Sequence, residues 1–112
     1  MERRQHKRIY IDLEAKIISD EKPYYGSIEN VSESGIRYLI KSSIHDKDKF
    51  TGIEVLELYF RTESDAEMQL KCETIWTKIG LFSGEKISLG LKIIDPPAEY
   101  IDWIKSLYKD SE

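Results

Sequence analysis

Apolar and polar residues alternate without a break from Ile9 to Ile17. Ile9, Ile11, Leu13, Ala15 and Ile17 fall on one side and Tyr10, Asp12, Glu14 and Lys16 on the other. A period of two is the mark of a strand with one buried face. Ser19 to Pro23 reads as a turn. Further strands are expected over Tyr24–Glu29 and over Ile36–Lys41, where Ile36, Tyr38 and Ile40 face inward. The polar run Asn30-Val31-Ser32-Glu33-Ser34-Gly35 joins them. Residues 42–52 are polar and predict a loop. Ile53–Arg61 predicts a fourth strand and Thr62–Glu67 a turn. Met68–Lys78 predicts a fifth strand, with Met68, Leu70, Cys72, Thr74 and Trp76 on one face, which assigns Trp76 to the core. Gly80–Lys86 closes a hairpin into a last strand, Ile87–Ile94.

The period then changes. Tyr100, Trp103, Ile104, Leu107 and Tyr108 recur at helical spacing, with Asp95 as the expected cap and Pro96 as the first helical residue. Six strands at short intervals predict an all-β fold, a six-stranded antiparallel β-barrel with a C-terminal α-helix, because closure removes exposed strand edges. The 112 residues suit one domain. It divides into an arm over 1–8, a barrel over 9–95 and a helix over 96–109.

Composition narrows the class. The chain is 40% hydrophobic and 34% charged, which is globular, and no apolar run approaches the roughly 20 residues that span a bilayer. Met1-Glu2-Arg3-Arg4 has no apolar stretch behind it and so does not resemble a secretory leader. A lone Cys72 and two distant histidines, His6 and His45, offer no disulfide and no metal-ligand spacing, so no metal and no cofactor is expected and a reducing cytoplasm is the simplest setting. Cys72 alternates with apolar residues and is assigned to the core. His45 lies in a charged loop, and Asp46, Asp48, Glu63, Asp65 and Glu67 read as solubility charge. No phosphate-binding loop, nucleophile elbow or paired-carboxylate pattern is present, so no catalytic residue is assigned and no enzyme is expected. Charge is uneven. Arg3, Arg4, Lys7 and Arg8 stand against Glu2, giving the first eight residues +3 in a chain of net −4 and leaving −7 for the remainder. A basic arm on an acidic body implies a local anion site rather than a broad nucleic-acid footprint.

Two motifs flank the first two strands. Arg4-Gln5-His6-Lys7-Arg8 is an R-x-x-x-R directly before the first strand, and Asn30-Val31-Ser32-Glu33-Ser34-Gly35 is an N-x-S-x-x-G at a strand junction. Together, in this order, they resemble the two motifs of the PilZ family. Gly90-Leu91-Lys92 resembles a weaker feature of it, and the resemblance runs over nearly the whole chain. It implies a barrel that binds the second messenger cyclic di-GMP. Arginine carries a planar fork of donors suited to phosphate oxygens and to guanine O6 and N7. The resemblance therefore assigns Arg4 and Arg8 to the ligand, Asn30 to a guanine edge, the Ser32 hydroxyl to a phosphate, and Gly35 to a close approach or special backbone angle. The arm before Ile9 has little apolar content, so it is expected to be mobile without ligand and ordered with it. A basic residue at Arg3, beside the motif, implies two intercalated ligands per chain. Trp76 could stack on guanine, but its alternation favours the core.

The expected partners are cyclic di-GMP and a separate, unidentified protein effector, with no nucleic acid and no membrane insertion. Two alternatives remain: a PilZ-like adapter that has lost nucleotide binding, and an OB-like binder of single-stranded nucleic acid.

Overall fold

The computed structural model describes residues 8–41, 50, 52–80 and 86–110. The strands are β1 (Ile9–Ser19), β2 (Lys22–Val31), β3 (Gly35–Ile40), β4 (Val55–Arg61), β5 (Glu67–Ile79) and β6 (Ile87–Ile93), followed by α1 (Ala98–Asp110). All neighbouring strands run antiparallel, and the barrel closes in the order β1-β2-β3-β6-β5-β4. This is the architecture that the alternation predicts.

Inward side chains fill the barrel. Ile17, Ile28, Tyr38, Leu58, Cys72 and Leu89 have no solvent exposure. Tyr38 directs its hydroxyl between the carbonyls of Ala15 at 3.0 Å and Tyr24 at 2.9 Å, which satisfies the one polar atom of the largest side chain inside. Helix α1 packs through Tyr100, Trp103 and Ile104, and the Trp103 ring lies 5.3 Å from Phe60 and 5.8 Å from Tyr100.

Three expectations need correction. The first turn is not a five-residue segment, because β1 and β2 are joined by Asp20 and Glu21 alone. Both have positive φ, 51° and 66°, as a two-residue type I′ hairpin requires. Neither is the glycine or asparagine that usually announces such a turn. The helix starts later than Pro96. Asp95 has φ of 47° and does not cap it, and the Pro97 carbonyl accepts the first bonds, from the Tyr100 and Ile101 amides. Trp76 is not a core residue but is 39% exposed. Its strand carries one extra residue between the pairs Thr74↔Leu91 and Trp76↔Gly90, and a single inserted residue moves every later side chain to the opposite face. His45, Asp46 and Asp48 lie outside the described residues, as do residues 81–85 of the hairpin that Gly80 and Lys86 close through a 2.8 Å backbone bond.

Candidate functional site

Similar slips occur where β1 meets β2, between Tyr10 and Leu13, and where β2 meets β3, between Ile28 and Asn30. Together the slips bring five residues into one row across the outside of the barrel. Tyr10 pairs with Asn30, Asn30 with Arg37, Arg37 with Gly90, and Gly90 with Trp76. Residues paired across a sheet point to the same face. Ile36 and Tyr38 are buried inside, so Arg37 and its partners face out.

Arg8 reaches this row from the end of the arm. Its Nη1 donates to Asn30 Oδ1 at 2.7 Å. The two motifs are thus joined by a direct bond over 22 residues of chain, and Asn30 is left only 3% exposed. Its carbonyl oxygen is already engaged, so its amide N–H groups are what it has left to offer. Arg3 and Arg4 lie outside the described residues.

Ser32 shapes the turn. Its hydroxyl oxygen accepts from the Gly35 amide at 3.0 Å and the Ser34 amide at 3.3 Å, and its own proton faces the Gly35 carbonyl at 3.4 Å. The Ser32 amide donates to that carbonyl at 2.9 Å. Gly35 serves by close approach rather than by a left-handed angle: a Cβ there would sit 3.2 Å from the Leu91 carbonyl oxygen. Helix α1 holds the turn from behind, where Tyr100 donates to the Ser32 carbonyl at 2.7 Å in a buried bond.

Tyr10, Arg37 and Trp76 belong to this surface and are not found by the motifs. A Cβ on Gly90 would fall 2.1 Å from Trp76 Nε1, so the indole lies in the space that glycine leaves open. The Arg37 guanidinium lies over the same indole, 5.6 Å from its centroid. The polar slot of Arg37 between Ile36 and Tyr38 is the sequence signal that could have marked it as outward.

A groove of about 580 Å³ runs beside the row, lined by Tyr10, Asn30, Arg37, Lys41 and Lys86 among others, with Asp12 and Glu29 as its acids. A larger groove of about 1300 Å³ lies between β1, the end of the β4–β5 hairpin and the start of α1. Six acidic residues line it against Lys16, Arg61 and Lys71, which disfavours an anion there. Chemistry rather than size therefore selects the Arg8–Asn30 face. Among the described residues no cluster of three or more His, Cys, Asp or Glu could hold a metal ion, and no helix is long and apolar enough to cross a membrane.

Comparison with known proteins agrees with this fold. The chain is similar in structure to the PilZ domain with c-di-GMP of YcgR from Escherichia coli, with a TM-score of 0.72 and 12% identity over 98% of this chain and 95% of that one. It is also similar to the inhibitor of motility MotI/DgrA of Bacillus subtilis, with a TM-score of 0.71 and 20% identity, covering 99% of this chain and 52% of that one. The MrkH–c-di-GMP complex of K. pneumonia gives a TM-score of 0.71 and 12% identity, covering 98% and 52%. The chain thus spans about half the length of the MotI/DgrA and MrkH chains. A search of curated proteins finds no significant match. The PilZ domain family profile matches residues 2–110, and the chain belongs to that family.

Proposed function

We propose that this domain is a cyclic di-GMP receptor, not an enzyme, that acts in the cytoplasm and passes the signal to a separate protein. One observation carries the reading. Arg8 and Asn30, one from each motif, meet at 2.7 Å on the outer face of the barrel beside a groove with three further cations. The ligand presents phosphate oxygens and guanine edges. Guanidinium forks and the Asn30 amide are the complementary donors. The YcgR and MrkH domains, whose solved structures carry c-di-GMP, have the same fold. Arg3 and Arg4 complete the basic arm. Ser32 and Gly35 set the turn that follows Asn30, so Ser32 acts on the ligand first through the turn and then through its hydroxyl proton.

Calorimetry of the chain with cyclic di-GMP, with GTP and cyclic GMP as controls, tests this. Saturable binding of the dinucleotide alone is expected. The same titration reads stoichiometry. Arg3 beside the motif adds a guanidinium to neutralise the four phosphates of a stacked ligand pair, so the expected ratio is two per chain, falling toward one in Arg3→Leu. Absence of heat with cyclic di-GMP would refute the receptor reading. A ratio of one would refute only the paired mode.

A further inference from the structure

We propose that Arg37 is a ligand-contacting residue and that Glu29 restrains it, so that binding exchanges a carboxylate for a ligand phosphate on the same guanidinium. This rests on the receptor reading above and extends it beyond the two motifs.

The placement of Arg37 comes first. It pairs with Asn30 across β2 and β3 and lines the same groove. The indole of Trp76 lies under its guanidinium, held there by the missing side chain of Gly90. The Trp76 ring lies on one side of the guanidinium, and the Arg37 side chain keeps 41% exposure. A planar fork held by a ring is ordered before a ligand arrives, which lowers the entropy lost on binding.

Glu29 is the second element. It is the extra residue of β2 opposite β3, left without its own place in that ladder. Its carboxylate faces Arg37 Nε at 3.4 Å, but the pair is poorly made: neither Arg37 Nε nor Glu29 Oε1 has a hydrogen bond, although both atoms are buried. Both side chains are about two-fifths exposed, and a contact of this kind contributes little. Phosphate offers the same guanidinium shorter, charge-assisted bonds. Breaking the Glu29–Arg37 contact is a cost deducted from affinity.

The test is a double-mutant cycle by calorimetry with cyclic di-GMP, using the full chain as wild type, Glu29→Gln, Arg37→Ala and the double variant. Arg37→Ala is expected to weaken binding about tenfold or more. Glu29→Gln is expected to tighten it by about two- to fivefold. In the Arg37→Ala background the Glu29→Gln gain should vanish, because the carboxylate acts through the guanidinium. If Arg37→Ala unfolds, Arg37→Lys replaces it: the charge remains but the fork is lost, and weakened binding is still expected. Unchanged affinity on loss of Arg37, or an equal Glu29→Gln gain in both backgrounds, would overturn the proposal while leaving the receptor reading intact. A wild type that does not bind would overturn the receptor reading itself.

Discussion

At the scale of single residues, the Arg8–Asn30 bond is where the two motifs become one site. Arg8 lies just before β1 and is part-buried, so it contributes more to the site than to the core. Arg8→Ala is expected to weaken cyclic di-GMP binding by about 10- to 100-fold, the effect of losing a charged hydrogen-bond donor, with little change in melting temperature. Arg8→Lys should not restore it, since an ammonium cannot present a planar fork. Glycines divide differently. A Cβ on Gly26 would meet the Leu39 carbonyl oxygen at 2.0 Å, and that atom is backbone in a paired strand. At Gly35 the nearest atom is 3.2 Å away. Urea unfolding should therefore show Gly26→Ala as severely destabilised, by about 3 kcal/mol or more, and Gly35→Ala as mildly affected. Equal losses would mean that the β2–β3 approach is looser than described. Gly35, Ser32 and Asn30 were legible because a motif marks them. Gly26 was not, because the carbonyl that excludes its side chain comes from a strand 13 residues further on.

At the scale of elements, the period of two that one wet and one dry face imposes located β1, β3, β5 and β6, while β2 and β4 were located by short apolar or aromatic runs between turns. What alternation cannot show is an inserted residue. The slip before Trp76 is invisible in the run Thr74-Ile75-Trp76, yet it turns the tryptophan from the core to the site, and the slips near Asp12 and Glu29 align Tyr10 and Asn30 with it. The site is therefore a product of pairing between distant strands, and only its motif half could be read locally. Helix α1 shows a similar limit. Its apolar face was plain, but not its task of bracing the Asn30–Gly35 turn. Tyr100 donates to the Ser32 carbonyl, and Tyr108 lies beside the Glu33 backbone. Tyr100→Phe removes the donor and leaves a buried carbonyl without its partner. A loss of about 1–3 kcal/mol is expected in urea unfolding, together with faster amide exchange at Ser34 and Gly35. Faster exchange confined to α1 would show that the helix does not brace the turn.

At the scale of the whole molecule, the closed barrel and the helix packed on it place three weakly acidic groups where their charged forms are not tolerated. Burial pushes the Cys72 thiol from its ordinary 9.0 up to about 12, helped by the nearby charge of Glu57. Burial likewise raises the Tyr38 and Tyr100 phenols well above their ordinary 10.0. Each group binds its proton more tightly folded than unfolded, so its contribution is complete below the unfolded pKa and is lost as pH rises toward the folded one. Loss should thus begin near pH 9 with the thiol and steepen above pH 10 with the phenols. Each group removes up to about 1.4 kcal/mol per pH unit, and three acting together can exhaust the roughly 5–15 kcal/mol of an ordinary domain within a few units. A cooperative alkaline transition follows as the expectation. Tyr38 and Tyr100 should ionise only as the barrel opens. Tyrosinate absorbance and far-ultraviolet circular dichroism recorded together would test this, and Cys72 should resist thiol reagents until the same pH. Complete tyrosinate absorbance with the strand signal still intact would show that the barrel tolerates the charges its burial is expected to exclude.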